Sequence, residues 1–357
     1  MMLTAIVIPC LNERELITRT ADSLGFGTQH PPLGSFLVLV DNGSKDGSLD
    51  VLKEIQREAG SSAVIVAEEP DRGYVPPRAK GIEIAAQIAY EQNVPPNQLL
   101  ILQADADTIY SKGYVTAFQA AARKESRSAM FEGTTHPPHR FLGGHPGFQR
   151  LADEVDVELA PCLVDDTLDV IVDDKVAGYT LSSYRQWGGL RREFLTTGSE
   201  IHAETSRLFI RAKLSQAIHV RVSEAEAIPS RRKILRNPIR HFATGGFPRD
   251  ETWWRRWSRS YQGPRDLNAF EGDQARESLK QAVATREAHM LGLFSLLPLL
   301  MTETAVRAEH LDSDYLHPLV RQRLALSNMS FAAADVPSIF EFMLSAVDEW
   351  TALPCLI

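Results

Sequence analysis

Ala5-Ile6-Val7-Ile8-Pro9-Cys10-Leu11-Asn12-Glu13, Phe36-Leu37-Val38-Leu39-Val40-Asp41-Asn42-Gly43-Ser44-Lys45-Asp46-Gly47-Ser48 and Leu99-Leu100-Ile101-Leu102-Gln103-Ala104-Asp105-Ala106-Asp107 are apolar runs that end in polar residues, and their reading decides the fold. Each apolar part is short, rich in Leu and β-branched residues and free of charge, as a strand buried on both faces of a parallel sheet is. Carboxylates and amides that follow such strands lie at the crevice where open α/β sheets bind ligands. If the third strand continues through them, Asp105 and Asp107 project to one side and offer oxygen ligands to a hard divalent cation. The residues alone therefore point to a metal-dependent enzyme acting on a phosphorylated nucleotide.

Helical patterns separate the runs. From Glu13 to Leu24, the residues Leu16, Ile17, Thr20 and Leu24 share a face. Ser48 or Asp46 is placed to cap a second helix whose inward stripe is Leu52, Ile55 and Ala59, before the strand-like Ala63-Val64-Ile65-Val66. A third helix is expected from Arg78 to Gln92, stopped by Pro95 and Pro96, and a fourth from Ser111 to Lys124, whose N-cap is the plainer alternative to a metal role for Asp107, with Thr108 beside it. This alternation predicts an α/β fold with one mainly parallel sheet and right-handed crossovers. From about 135 onward the pattern loosens into loops and amphipathic pieces. From about 250 it reads as helices: around Trp253-Trp254-Arg255-Arg256-Trp257, over Ala275 to Leu300, and over Ile339 to Trp350. A boundary at Gly245-Gly246-Phe247-Pro248 would divide a 1–245 catalytic domain from a 246–357 helical subdomain.

With 357 residues, 44% of them hydrophobic, the chain can bury a sizeable core. A formal net charge of -8 argues against a general nucleic-acid binder, which needs a basic surface to neutralise phosphates. The charge is polarised along the chain. Leu151 to Asp174 holds nine acids and no bases, whereas Ser230 to Arg265 holds nine Arg, one Lys and two acids. Cys10, Cys162 and Cys355 are far apart, which indicates neither a disulfide framework nor a cysteine zinc site and fits a reducing cytoplasm. The N-terminus lacks the pattern of a signal peptide, and Met290 to Met301 is too short to span a bilayer.

The three runs together resemble the family 2 glycosyltransferases, which have the GT-A fold. The first is similar to the family's opening strand, the second to its Asp-Asp/Asn-Gly-Ser turn and the third to its Asp-x-Asp motif, while Arg78-Ala79-Lys80-Gly81 resembles its Arg-Asn-x-Gly element. The resemblance implies inverting, metal-assisted transfer of a sugar, of hexosyltransferase type, from a nucleoside diphosphate-sugar to the hydroxyl of an unidentified acceptor. Asp107 would hold Mg²⁺ or Mn²⁺, with Asp105 on the metal or the ribose. Asp41 would accept from the nucleobase, favouring UDP or TDP, beside Pro9, Asn12 and Glu13. Arg78 would fork onto the diphosphate. Read locally, Asp41 instead makes an Asx-turn and Arg78 is a solvated helix-start residue.

The family also takes its general base from a Glu-Asp pair that opens a helix, in a pattern like Glu-Asp-x-Asp-Leu-x-x-Arg. Here Ala203 and Glu204 stand in for the pair, leaving Glu204 as the base, with Glu200 and His202 as alternatives; the local reading makes Glu204 a favourable acid in a first helical turn. Where some members carry a His, this chain has Arg231 and Arg232, candidates for a diphosphate clamp. The basic stretch with Trp253, Trp254 and Trp257 is a candidate for peripheral contact with a lipid phosphate or membrane surface; the plainer reading packs the tryptophans inward. His136, His139 and His145 lack a recognised zinc spacing and read as a loop. A nucleotidyltransferase would want a glycine-rich phosphate loop after the first strand, and Pro9 to Glu13 has no glycine. The other rival is a binding protein of the same fold that keeps the nucleotide pocket and has lost the base.

Overall fold

Every residue of Ala5-Ile6-Val7-Ile8 is fully buried, and so is every residue of Leu37-Val38-Leu39-Val40 and Leu99-Leu100-Ile101-Leu102. The computed structural model places them in adjacent strands: β1 (Leu3–Cys10) pairs in parallel with β2 (Ser35–Asp41) and with β4 (Leu99–Gln103), and β2 pairs in parallel with β3 (Val64–Glu68). The structure describes residues 2–27, 31–136, 143–159, 172–198, 200–244, 251–284, 306–307 and 330–331. Four further pairings extend the sheet through β5 (Thr108–Tyr110), β6 (Ala129–Thr135), β7 (Ala177–Thr180) and β8 (Ile218–Pro229), in the order β3-β2-β1-β4-β7-β6-β8-β5. β7 runs antiparallel to both β4 and β6, and β5 runs antiparallel to β8, while β6 and β8 are parallel. The sheet is mixed: parallel in its first half and partly antiparallel in its second.

Helices α1 (Ile17–Ser23), α2 (Ser48–Ala59), α3 (Val75–Glu91) and α4 (Tyr114–Lys124) flank it. α1 is shorter than its pattern, burying Ile17, Thr20 and Ala21 with Leu24 just beyond it. Asp46 Oδ1 accepts from the Ser48 N–H at 2.9 Å and so acts at the start of α2. α3 begins earlier than the periodicity suggests because Pro76 and Pro77 fit its first turn, where no backbone donor is needed. It also lies unusually close to the sheet: a Cβ added at Gly81 would be 2.3 Å from Val7 Cγ1.

Two expectations fail between β4 and α4. β4 ends at Gln103, so no strand carries Asp105 and Asp107 to one side; residues 104–107 turn and the chain re-enters the sheet at Thr108. The following helix begins at Tyr114 with Gly113 as its N-cap, so neither Asp107 nor Thr108 caps it. Past residue 135 the loosened pattern is also corrected. β8 carries inward Val222, Ala225 and Ala227, and a register shift between Glu132 and Thr134 breaks its alternation.

The contacts divide the chain into a unit of 1–137, 171–192 and 203–230, which contains the sheet, and a unit of 138–170, 193–202 and 231–357. In the second, Phe148 meets Phe242 and Phe270 with ring centroids 5.4 Å and 5.5 Å apart. Trp254 and Trp257 of the helix Glu251–Ser260 are buried, as the plainer reading of the tryptophans has it. The described part of the next helix covers 273–284; the boundary at Gly245 to Pro248, His139, Cys162, the rest of the helix expected to Leu300, Met290 to Met301 and the helix expected from Ile339 to Trp350 lie outside the described residues. Among the described residues no helix is long and apolar enough to cross a membrane.

Candidate functional site

At the C-terminal ends of β1 and β2 the two loops are tied together. Asn12 takes a left-handed conformation (φ 57°), which Asn tolerates better than most residues, and its Oδ1 accepts from the Lys45 N–H at 2.9 Å. The Asn12 N–H donates to Ser44 Oγ at 3.0 Å and the Glu13 N–H to Ser48 Oγ at 2.8 Å. Pro9 pairs with Val40 in the sheet just behind them.

Asp41 divides its two oxygens between the roles the sequence left open. Oδ2 accepts from the Gly43 and Ser44 N–H groups at 3.0 Å and 3.1 Å, an Asx-turn. Oδ1 is buried and has no hydrogen-bond partner. A buried acceptor left open is costly unless a ligand donor meets it. Asn42 fixes the wall beside it, donating to the Glu69 and Asp71 carbonyls at 2.7 Å and 2.8 Å, and Arg72 closes onto the Gly43 carbonyl.

Beyond the end of β4 lies a buried guanidinium. Arg78 is only 4% exposed, so it is not a solvated helix-start residue. Its Nε donates to Glu204 Oε1 at 3.0 Å, and one terminal nitrogen donates to Asp105 Oδ1 at 2.9 Å and Asp174 Oδ2 at 3.0 Å. The other terminal nitrogen is buried and has no partner. The close seat of Gly81 against Val7 fixes where the helix carrying Arg78 lies. Glu204 opens α7 (Glu204–Leu214; the short helix Leu181–Gln186 is α6 and Pro146–Leu159 is α5), preceded by Ala203 in a left-handed conformation at φ 59°.

Asp174 belongs to a braced turn, 173–176, that the sequence reading passed over as part of an acidic run. Glu132, itself buried, accepts from the Asp173 N–H at 2.7 Å and from Arg221 at 2.7 Å, and meets His219 at 2.9 Å. Thr135 Oγ1 donates to Asp173 Oδ2 at 2.8 Å, and Lys175 closes onto Asp173 Oδ1. Tyr110 accepts from the Asp105 N–H at 2.8 Å and donates to the Lys175 carbonyl at 3.0 Å, joining this turn to the Asp-x-Asp segment. No local pattern marks these residues; the acid-acid-base order Asp173-Asp174-Lys175 before a short strand is the nearest signal.

Crowded carboxylates in a buried place hold their protons. Burial first, and then the charge of Asp174, raise Asp105 to about 6 against the opposing pull of Arg78 and Lys175. Burial likewise raises Glu204, again opposed by Arg78. Asp173, Asp174 and Asp105 raise Lys175 although burial works the other way.

Asp107 is half-buried, and its carbonyl accepts from the Ser230 N–H at 2.8 Å. Among the described residues no group of three or more metal-binding side chains converges. One or two carboxylates completed by water and phosphate oxygens suit Mg²⁺ or Mn²⁺. Asp107, with Asp105 beside it in sequence, fits that donor set. Glu200, His202, Arg231 and Arg232 belong to the second unit, whereas the Arg78 network lies wholly in the first. His136 is 3.6 Å from Glu226 and His145 is 2.9 Å from Asn268, so these histidines have other companions.

Residues 5–147 match the family described as Glycosyl transferase family 2. This part of the chain therefore resembles a family 2 glycosyltransferase domain. The match ends before Asp174 and Glu204. S. aureus TarS 1–349 in complex with UDP-GlcNAc is similar in fold, with a TM-score of 0.50 at 14% identity over 98% of this chain and 91% of that one. The mannosyltransferase PcManGT from Pyrobaculum calidifontis, in complex with GDP-Man and Mn²⁺, has a TM-score of 0.48 at 13% identity over 98% of this chain and 86% of that one. No curated protein matches the chain by sequence. The sheet and the helices that flank it have a GT-A-like fold, as in the TarS structure. Counted back from Leu208 and Arg211, the family's base pattern falls differently from the first reading: Glu204 meets its Glu, and Thr205 replaces the following Asp. Thr205 is fully buried and donates to Gln103 Oε1 at 3.1 Å.

Proposed function

We propose that the chain transfers a sugar, with inversion, from a nucleoside diphosphate-sugar to an acceptor hydroxyl. The observation that carries this is Asp41 Oδ1: a buried acceptor at the end of β2, open although its partner oxygen is committed to the turn. The imide N–H of uracil or thymine would meet it, which favours UDP or TDP over cytidine nucleotides. Pro9, Asn12 and Glu13 would line the same pocket. Asp107, with Asp105, would hold a divalent cation between protein and diphosphate; when bound, that cation would offset charge on the leaving group. Arg78 would act on the diphosphate through its one unpartnered nitrogen. One of the carboxylates around Arg78 would take the acceptor's proton, the one the family's pattern points to being Glu204. We also take the 1–245 part as the donor-binding domain, acting on hexosyl donors in the cytoplasm.

Calorimetric titration of UDP, TDP and GDP, with and without Mn²⁺, tests this reading. UDP or TDP is expected to bind only with the metal, and Asp107→Ala to abolish that dependence. Absence of binding by any of the three would sink the reading. Nucleotide binding without turnover of any donor would favour the non-catalytic binder instead, a reading that Thr205 in place of an acid supports.

A further inference from the structure

Three carboxylates share the Arg78 guanidinium, and they differ in their access to solvent. Side-chain exposure is 4% for Glu204, 27% for Asp105 and 38% for Asp174. A general base must come within hydrogen-bond reach of the hydroxyl it deprotonates. Glu204 is enclosed, with Oε1 on Arg78 Nε, and the next side chain of its helix is a buried threonine. Asp105 follows β4 and is assigned above to the donor side. Asp174 alone of the three combines the Arg78 contact with an open face and a rigid seat, since Glu132, Thr135 and Lys175 brace its turn through Asp173.

We infer that Asp174 is the catalytic base and that Glu204 is a positioning residue that fixes Arg78. This rests on the sugar-transfer reading and adds to it the identity of the proton acceptor. In the step, the acceptor oxygen bonds to the anomeric carbon and its proton passes to the Asp174 carboxylate. The bond from that carbon to the diphosphate oxygen breaks, and its electron pair leaves with the nucleoside diphosphate. In donor hydrolysis, water takes the acceptor's place.

The test is hydrolysis of a panel of UDP- and TDP-sugars by the full chain with Mn²⁺, beside calorimetric binding of UDP. Asp174→Asn is expected to lower kcat by about 10²- to 10⁴-fold while UDP affinity and donor KM stay within about twofold. Asp174→Glu, which keeps a carboxylate, should retain more of the rate. Glu204→Gln keeps an oxygen for Arg78 and should lower kcat by less than about tenfold. Thermal melting of each variant guards against misfolding. Parent-like kcat in Asp174→Asn would overturn the assignment, and so would a Glu204→Gln loss as deep as that of Asp174→Asn at unchanged UDP affinity. A parent that binds UDP and hydrolyses no donor also overturns it and leaves the donor site standing. A parent that binds neither UDP nor TDP removes the underlying reading.

Discussion

Asp41 shows how one side chain can satisfy both a structural and a binding demand. Its Oδ2 holds the turn through Gly43 and Ser44, and its Oδ1 remains open. Asp41→Asn keeps an oxygen for the turn and replaces the open acceptor with a donor. Folding should change little, whereas UDP affinity should fall by about 10- to 100-fold, the equivalent of losing a hydrogen bond to a charged group; titration calorimetry against thermal melting separates the two effects. The single residues of the site were legible to different degrees. Asp41, Arg78, Asp105 and Glu204 stand beside strand ends or helix starts, where local pattern draws attention. Asp174 precedes only a four-residue strand and sits in an acidic run, so nothing local sets it apart from its neighbours or records its pairing with Arg78, 96 residues away.

Among the elements, α3 depends most on one small residue. Gly81 lets the helix approach Val7 and Val40 more closely than any side chain would permit. Gly81→Ala should push the helix from β1 and cost about 1–3 kcal/mol in a denaturant titration, as overpacking does. Because Arg78 is carried on the first turn of the same helix, nucleotide affinity should weaken as well. Strand legibility follows burial. β1, β2 and β4 are covered on both faces and read as unbroken apolar runs. β7 has four residues, and β8 alternates until a register shift interrupts it, so neither leaves a sustained period. The loop between β4 and β5 was misread because residues 104–107 look like a strand end running into a helix cap, whereas a three-residue strand intervenes.

For the whole molecule, the acidic network sets a dependence of stability on pH. Asp105 is raised to about 6, so between about pH 4 and about pH 6 the folded chain binds this proton more readily than the unfolded chain does. Its contribution to stability is therefore greatest at the acid end, falls as pH rises through that window and is constant above it; Glu204 acts in the same direction. Urea midpoints at about pH 4 and about pH 7 check this, and Asp105→Asn should flatten the difference between them. The order of the sheet bears on how such a chain emerges during synthesis. β6 reaches β4 only through β7, so a nascent polypeptide that has passed the end of the family 2 match still shows β4 as a bare apolar edge. Edges of that kind recruit other strands. Arg78 at that moment also lacks Asp174 and Glu204, both yet to be made. Until residues 177–180 have been made, the edge of β4 thus stays open to other strands, and a pause or a chaperone acting before then would protect it.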